Sequence, residues 1–290
     1  MKYVILDMDP GVDDALAIIL AMLSPELEVK AITTVSGNVN VDLCTRNVRV
    51  ILEILGINPP PIIAKGESKP LAENESIVDA AEVHGRDGLG NLGSFFMEDG
   101  TTRRYEEPSI CPVSEEHAVD VILSLLSSNP YEITLIPTGP LTNIARTFMK
   151  DPEITSLVKE IIIMGGAFRV PGNITPVAEF NIYSDPHAAE LLVKSNLPIT
   201  FIGLDVTHQV WLKKNQLLDK IVPMNNRLSR FIRDVTSVYM GFHEYYELPG
   251  IYIHDALAVA AAIEPKLVET EEIYLQIESH GKITKGMTVG

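Results

Sequence analysis

The segment Asp7-Met8-Asp9-Pro10-Gly11-Val12-Asp13-Asp14-Ala15 places four carboxylates within eight residues, directly behind a short apolar run. Carboxylates held that close repel one another unless some are protonated or a cation lies among them. A hard metal ion is the simpler solution, because carboxylates and backbone carbonyls are oxygen donors suited to calcium or magnesium and not to zinc. The seven histidines show no HxxxH or HxH spacing that would argue otherwise. Two of the acids have a bland explanation, since Asp13 and Asp14 suit the first turn of a helix and Asp7 or Asp9 could cap it. Four exceed that need, so the cluster reads as a metal and reaction site.

Such acids need elements to hold them. Short apolar runs alternate with helix-like stretches along most of the 290 residues, the pattern of parallel strands joined by crossover helices. The expectation is one α/β domain over residues 1–290, Rossmann-like, with a mostly parallel central sheet flanked by helices. Strands are expected at residues 3–6, 27–35, 61–64, 133–137, 161–164 and 199–204, and helices at 13–23, 41–55, 141–149 and 255–263. A hairpin through His280-Gly281 is expected near the C-terminus. Residues 69–114, rich in Gly, Glu, Asp and Pro, read as a long loop of the lid or binding kind. Ligands in open α/β sheets bind at the carboxyl ends of strands, which puts the acids behind the first strand at the site.

Composition narrows the partners. A hydrophobic content of 46% supports a sizeable core, and a net charge of -16 repels nucleic acid and anionic membranes. A small-molecule substrate fits better. Two cysteines, Cys44 and Cys111, allow neither a disulfide framework nor a CxxC metal site, which suits a reducing cytoplasm. The N-terminal apolar run is too short for a signal peptide, and no stretch approaches a membrane span.

The segment LDMDPGVDDALAI resembles the N-terminal signature of the inosine-uridine-preferring nucleoside hydrolase family. Further similar segments follow in the family's order: Val35-Ser36-Gly37-Asn38, His84-Gly85, Thr138-Gly139-Pro140-Leu141-Thr142-Asn143, Met164-Gly165-Gly166, Glu179-Phe180-Asn181, Asp185-Pro186 and His254-Asp255-Ala256. The resemblance spans residues 3 to about 289, and as a set these motifs are specific. It implies a calcium-dependent hydrolase that splits ribonucleosides into ribose and free base, acting in purine or pyrimidine salvage. It also implies the ligand set: Asp9, Asp14, Asp255 and the main-chain carbonyl of Thr138 would hold calcium, and Asp9 would be the general base toward a calcium-bound water. Asp13, Asn38, Asn173, Glu179 and Asn181 would hold the ribose hydroxyls, with Met164 near the sugar and His84 beside the substrate. His254 would serve the leaving base, and histidine before the final aspartate marks broad or pyrimidine-accepting members. A homo-oligomer, dimer or tetramer, is ordinary for the family. Relatives usually continue past the GMTV-like segment, so a truncated or short tail after Gly290 is expected.

Taken singly, several of these residues have plainer readings. Asn38 and Asn173 each follow a glycine and suit turns, Met164 suits core packing, and His84 suits a solvated loop. Asp7 is expected to support the metal ligands from behind. Phe242, Tyr245 and Tyr246 are candidates for a base pocket, although aromatic stripes are more often core. Two other functions stay open. A strand followed by DxD also opens magnesium-dependent haloacid-dehalogenase-like phosphatases, whose first Asp is the nucleophile, but that pattern disfavours Pro10 and no GDxxxD follows. A non-catalytic ribose- or nucleoside-binding protein would keep the metal site without turnover.

Overall fold

The apolar run ahead of the first acids becomes the central strand of the sheet. In a computed structural model describing residues 1–72, 78–97 and 99–290, Lys2–Met8 (β1) lies between Leu27–Thr34 (β2) and Ile133–Pro137 (β4). The sheet continues to Ile62–Lys65 (β3) on one side, and to Glu160–Met164 (β5) and Ile199–Ile202 (β6) on the other. The order β3-β2-β1-β4-β5-β6 is parallel throughout. Parallel sheets are covered on both faces, which is why these strands read as nearly continuous apolar runs. Val4, Leu6 and Met8 of β1 join one apolar cluster, while Ile5 joins the other.

Helices supply the cover. Val12–Leu23 (α1), Val41–Leu55 (α2), Ala118–Ser128 (α4), Thr142–Lys150 (α5) and Pro186–Val193 (α7) lie in the connections between strands. Single turns form at Ala81–His84 (α3), Phe180–Ser184 (α6), Leu204–Thr207 (α8) and Lys214–Gln216 (α9). Arg227–Tyr245 (α10) and His254–Ile263 (α11) follow, and both pack on α1. Helix α2 has the bounds its periodicity predicts: the Asn40 side chain accepts from Leu43 N at 3.0 Å, and Gly56 stops the helix at φ 68°.

Most of the sequence boundaries fall within one or two residues of those observed. The stretch at 199–204 is shorter as a strand, because Leu204 already begins α8. The C-terminal hairpin exists only as Gln276–Ile277 (β9) against Thr288–Val289 (β10), an antiparallel pair joined by a loop over 278–287, not a tight turn at His280-Gly281. A second small pair joins Trp211–Lys213 (β7) to Gly250–Tyr252 (β8). The long segment at 69–114 contains α3, a 3-10 turn at Leu92–Ser94 and a bridge between Phe96 and Arg103, with residues 73–77 and 98 outside the described residues. Among the described residues, no helix is long and apolar enough to cross a membrane.

The strand order reverses between β1 and β4. There the crossovers leave in opposite directions and open a crevice beyond the strand ends. Asp9 follows β1 into that crevice, and Thr138 follows β4.

Candidate active site

Four carboxylates from three segments converge at the crevice. Asp9 leaves β1, Asp13 and Asp14 open α1, and Asp255 opens α11. Carboxylate oxygens of Asp13, Asp14 and Asp255 lie within 4.8 Å of one another, and Asp9 stands close enough to be raised by the charges of Asp14 and Asp13. All four are buried, and none pairs with a lysine or arginine among the described residues. Burial first, and repulsion by Asp14 second, push Asp13 up to about 7. Burial raises Asp14 to about 6, and burial with the neighbouring acids lifts Asp9 and Asp255 well above the carboxylate range. Among the described residues, Asp9 Oδ1 and Asp13 Oδ1 have no hydrogen-bond partner. Buried orphan oxygens without a counter-charge fit a hard divalent cation, and the donor set offers it oxygen only.

Two glycines let the flanking loops close on Asp9. A Cβ on Gly37 would lie 2.0 Å from Asp9 Oδ2, and one on Gly139 would lie 2.7 Å from Oδ1. Asn38 N donates to Asp9 Oδ2 at 2.7 Å, while Asn38 Nδ2 reaches Asp9 O at 3.2 Å and Asp14 Oδ2 at 3.3 Å. Asn38 is therefore built into the carboxylate cluster, beyond any turn role.

On the β4 and β5 side, the Thr138 hydroxyl donates to Asp14 Oδ1 at 2.9 Å. The Thr138 carbonyl accepts from Asn181 Nδ2 at 2.7 Å, and the same amide nitrogen reaches Met164 O at 3.2 Å and Met164 Sδ at 3.4 Å. Glu179 caps α6: Oε1 accepts from Asn181 N at 2.9 Å, and Oε2 accepts from Ile182 N and Gly166 N, each at 3.1 Å. Burial raises its pKa. Glu179 thus shapes the turn that presents Asn181. Asn173 stands apart on the exposed loop before α6, its Oδ1 accepting from Phe180 N at 2.9 Å.

Asp7 faces away from this group. Its Oδ1 accepts from Thr33 Oγ1 at 2.6 Å and Asn143 Nδ2 at 2.7 Å, so it braces β1 against β2 and α5 and bonds to none of the four acids. Asp185 is likewise structural, its carboxylate accepting from Ala188 N, Leu71 N and Thr142 Oγ1.

Opposite the acids stands a wall of rings. His84, the last residue of α3, is buried, and its Nδ1 accepts from Val12 N at 3.1 Å. That bond needs an unprotonated Nδ1, and burial lowers His84 to about 4, so its 3.8 Å approach to Asp13 Oδ1 is not an ion pair. The His84 ring lies 5.5 Å from Tyr239, which lies 4.5 Å from His243. Tyr252 continues the wall, 5.4 Å from His243, 5.3 Å from His254, 4.5 Å from His208 and 3.9 Å from Trp211. His254 is buried beside Asp255, and burial and then its histidine neighbours lower it to about 3 instead of leaving it near 6.5. Phe242, Tyr245 and Tyr246, candidates from sequence for a base pocket although such stripes are more often core, do not form this wall. Tyr245 and Tyr246 are exposed, and the inward face of α10 carries Tyr239 and His243 instead.

Comparison with known proteins extends the likeness over the whole chain. The family model for inosine-uridine preferring nucleoside hydrolase matches residues 4–290. The inosine-uridine preferring nucleoside hydrolase of Crithidia fasciculata is 40% identical over 290 residues, covering 99% of this chain and 87% of the relative. The pyrimidine-specific ribonucleoside hydrolase RihA of Citrobacter koseri is 39% identical over 288 residues, covering 99% of this chain and 87% of the relative. The solved structure of a purine-preferring ribonucleoside hydrolase from Gardnerella vaginalis matches with a TM-score of 0.90 at 36% identity, covering 100% of this chain and 88% of that one.

Proposed function

The chain belongs to the inosine-uridine preferring nucleoside hydrolase family, and from that premise we propose that it uses water to cleave the N-glycosidic bond of ribonucleosides, releasing ribose and free base. The observation that carries this reading is the convergence, at the point where the strand order reverses, of four buried carboxylates that pair with no lysine or arginine among the described residues. The phosphatase reading is disfavoured, because the Asp7 that would be its nucleophile is sealed behind β1 by Thr33 and Asn143.

The residues divide by chemistry. Asp9, Asp14, Asp255 and the Thr138 carbonyl would hold calcium, with Asp13 the fourth acid of the cluster. When bound, the ion supplies a Lewis acid and an anchor for sugar hydroxyls. Asp9, with an unpartnered Oδ1, takes the proton of the attacking water. Asp13, Asn38, Glu179, Asn181 and, from its loop, Asn173 orient the ribose beside Met164. Breaking the C–N bond builds positive charge on the sugar ring, and the surrounding carboxylates and amide oxygens oppose that charge. Enzymes of this kind remove on the order of 8–23 kcal/mol from the barrier, more than any one group supplies. The ring wall from His84 to His254 offers flat faces to a planar base. His254, neutral at physiological pH, serves the leaving base as a hydrogen-bond donor.

His254 ahead of Asp255 favours a broad or pyrimidine-accepting specificity. Cys44 and Cys111, both free and buried, fit a salvage enzyme of a reducing cytoplasm, and we place the chain there as a homo-oligomer, dimer or tetramer. A panel of purine and pyrimidine ribonucleosides, assayed for reducing sugar after chelation and after return of calcium, magnesium or zinc, tests the reading. Sugar release restored by calcium supports it; phosphate release from phosphomonoesters, or binding without turnover, overturns it.

A further inference from the structure

We propose that Thr207 is a positioning residue for His254: its hydroxyl fixes the ring's tautomer, keeping the proton on Nε2 and turning that nitrogen toward the departing base. The proposal rests on the leaving-group role given to His254 above.

The argument starts from where one hydroxyl proton goes. Thr207 ends α8 and is wholly buried, so its hydroxyl needs a partner within the protein. A threonine in a helix ordinarily turns its proton back to the carbonyl four residues earlier. Thr45 does so to Val41 O at 2.7 Å, Thr147 to Asn143 O at 2.8 Å and Thr236 to Ile232 O at 2.7 Å. Thr207 makes no such bond. Its only side-chain contact of hydrogen-bonding length among the described residues is His254 Nδ1, at 2.8 Å.

Only one assignment satisfies both groups. If Nδ1 carried the proton and donated it, the Thr207 hydroxyl hydrogen would be left buried without an acceptor. With Thr207 donating, Nδ1 accepts, and a neutral imidazole must then carry its hydrogen on Nε2. Among the described residues Nε2 has no hydrogen-bond partner, so its hydrogen is left to donate outside the protein's own network, beside Asp255. The neighbouring rings cannot make this choice. Tyr252 at 5.3 Å and His208 at 5.7 Å set the plane of the imidazole, but stacking does not distinguish its two nitrogens. The donor bond from Thr207 does.

The test uses the full chain with calcium. Nitrogen-15 spectra of histidine-labelled protein, assigned with His254→Ala, should show His254 as the Nε2–H tautomer, with the Nδ1–H form rising in Thr207→Val. Turnover of inosine or uridine by Thr207→Val should fall about tenfold or more at little-changed KM, while p-nitrophenyl riboside, whose phenolate departs unaided, stays near wild type. Thr207→Ser should restore both readouts. An Nδ1–H tautomer in the wild type, or full nucleoside turnover by Thr207→Val beside an impaired His254→Ala, overturns the proposal. If His254→Ala itself harms both substrates equally, the leaving-group role has failed, and the wild-type spectrum still decides what Thr207 does. Should Thr207→Val not fold, that spectrum and Thr207→Ser carry the decision.

Discussion

The Thr138 hydroxyl donates to Asp14 Oδ1 across 2.9 Å, fastening the end of β4 to the first turn of α1 over the point where strand order reverses. The same residue offers its carbonyl on the other side, where Asn181 Nδ2 reaches it at 2.7 Å. One loop residue thereby links an acid of the carboxylate cluster to the amide proposed to hold the sugar. A carbonyl oxygen has two lone pairs, so the Asn181 bond leaves room for a cation.

That cluster predicts how stability depends on pH and metal. Asp7 and Asp13 are raised from an ordinary 3.8 to about 7, and Asp14 to about 6. The folded protein therefore holds more protons than the unfolded chain between those values, and stability without metal falls as pH rises through that window. Calcium held at the proposed site would compete with the protons of Asp13 and Asp14. Chelated protein should melt several degrees lower at pH 8 than at pH 5, and the rise in melting temperature on adding calcium should grow with pH. A calcium effect independent of pH, or zinc bound through His84 or His254, would count against the site.

Asp9 and Asn38 touch the same carboxylate cluster but separate in kinetics. Asp9→Asn removes the base and keeps one ligand oxygen, so kcat should drop about a hundredfold to ten-thousandfold while sugar binding partly survives. Asn38→Ala loses the side-chain bonds to Asp9 O and Asp14 and should mainly raise KM. Steady-state kinetics on uridine or inosine distinguish these outcomes. Retention of most turnover by Asp9→Asn would assign the base elsewhere.

Much of this arrangement was legible in the sequence, for physical reasons that also mark where reading stopped. The buried strands announce themselves because both sheet faces are covered, and four acids behind β1 exceed what a helix start needs. The cap of Asn40 and the stop at Gly56 are local signals, so α2 could be bounded from sequence alone. The ring wall was not legible. Tyr239 and His243 stand four residues apart and so share one face of α10, whereas Tyr245, its last residue, and Tyr246, its C-cap, are exposed. His208 and Trp211 lie close together in sequence, but both meet Tyr252 only where β7 pairs with β8, at a position remote along the chain. Thr207 carries no motif, and its bond to His254 spans 47 residues.

Asp7 separates support from chemistry. Asp7→Asn keeps an oxygen to accept from Thr33 and Asn143, so it should leave nucleoside turnover within a few fold of wild type. Asp7→Ala strands both donors in the core and should cost about 1–3 kcal/mol of stability per unmade bond. Chemical denaturation and nucleoside kinetics measure the two effects. If Asp7→Asn abolished activity while leaving stability intact, Asp7 would be part of the reaction.

The last prediction concerns His254. A nucleobase anion is a poor leaving group, so a donor beside it should matter for natural nucleosides and not for an activated riboside. Burial lowers His254 to about 3, which leaves the ring neutral across the physiological range and able to donate one hydrogen bond without carrying charge. His254→Ala should therefore lose about a hundredfold in turnover of inosine or uridine and largely keep turnover of p-nitrophenyl riboside. Its pH profile should also match the wild type between pH 5 and 8, because the residue removed does not titrate there. The competing possibility is that His254 only orients Asp255 by packing. In that case calcium binding would weaken and both substrates would suffer together, so a calcium titration followed by melting temperature accompanies the kinetics. Unchanged calcium affinity with a loss confined to the natural nucleosides assigns His254 to the leaving group; equal losses on both substrates assign it to the geometry of the acids.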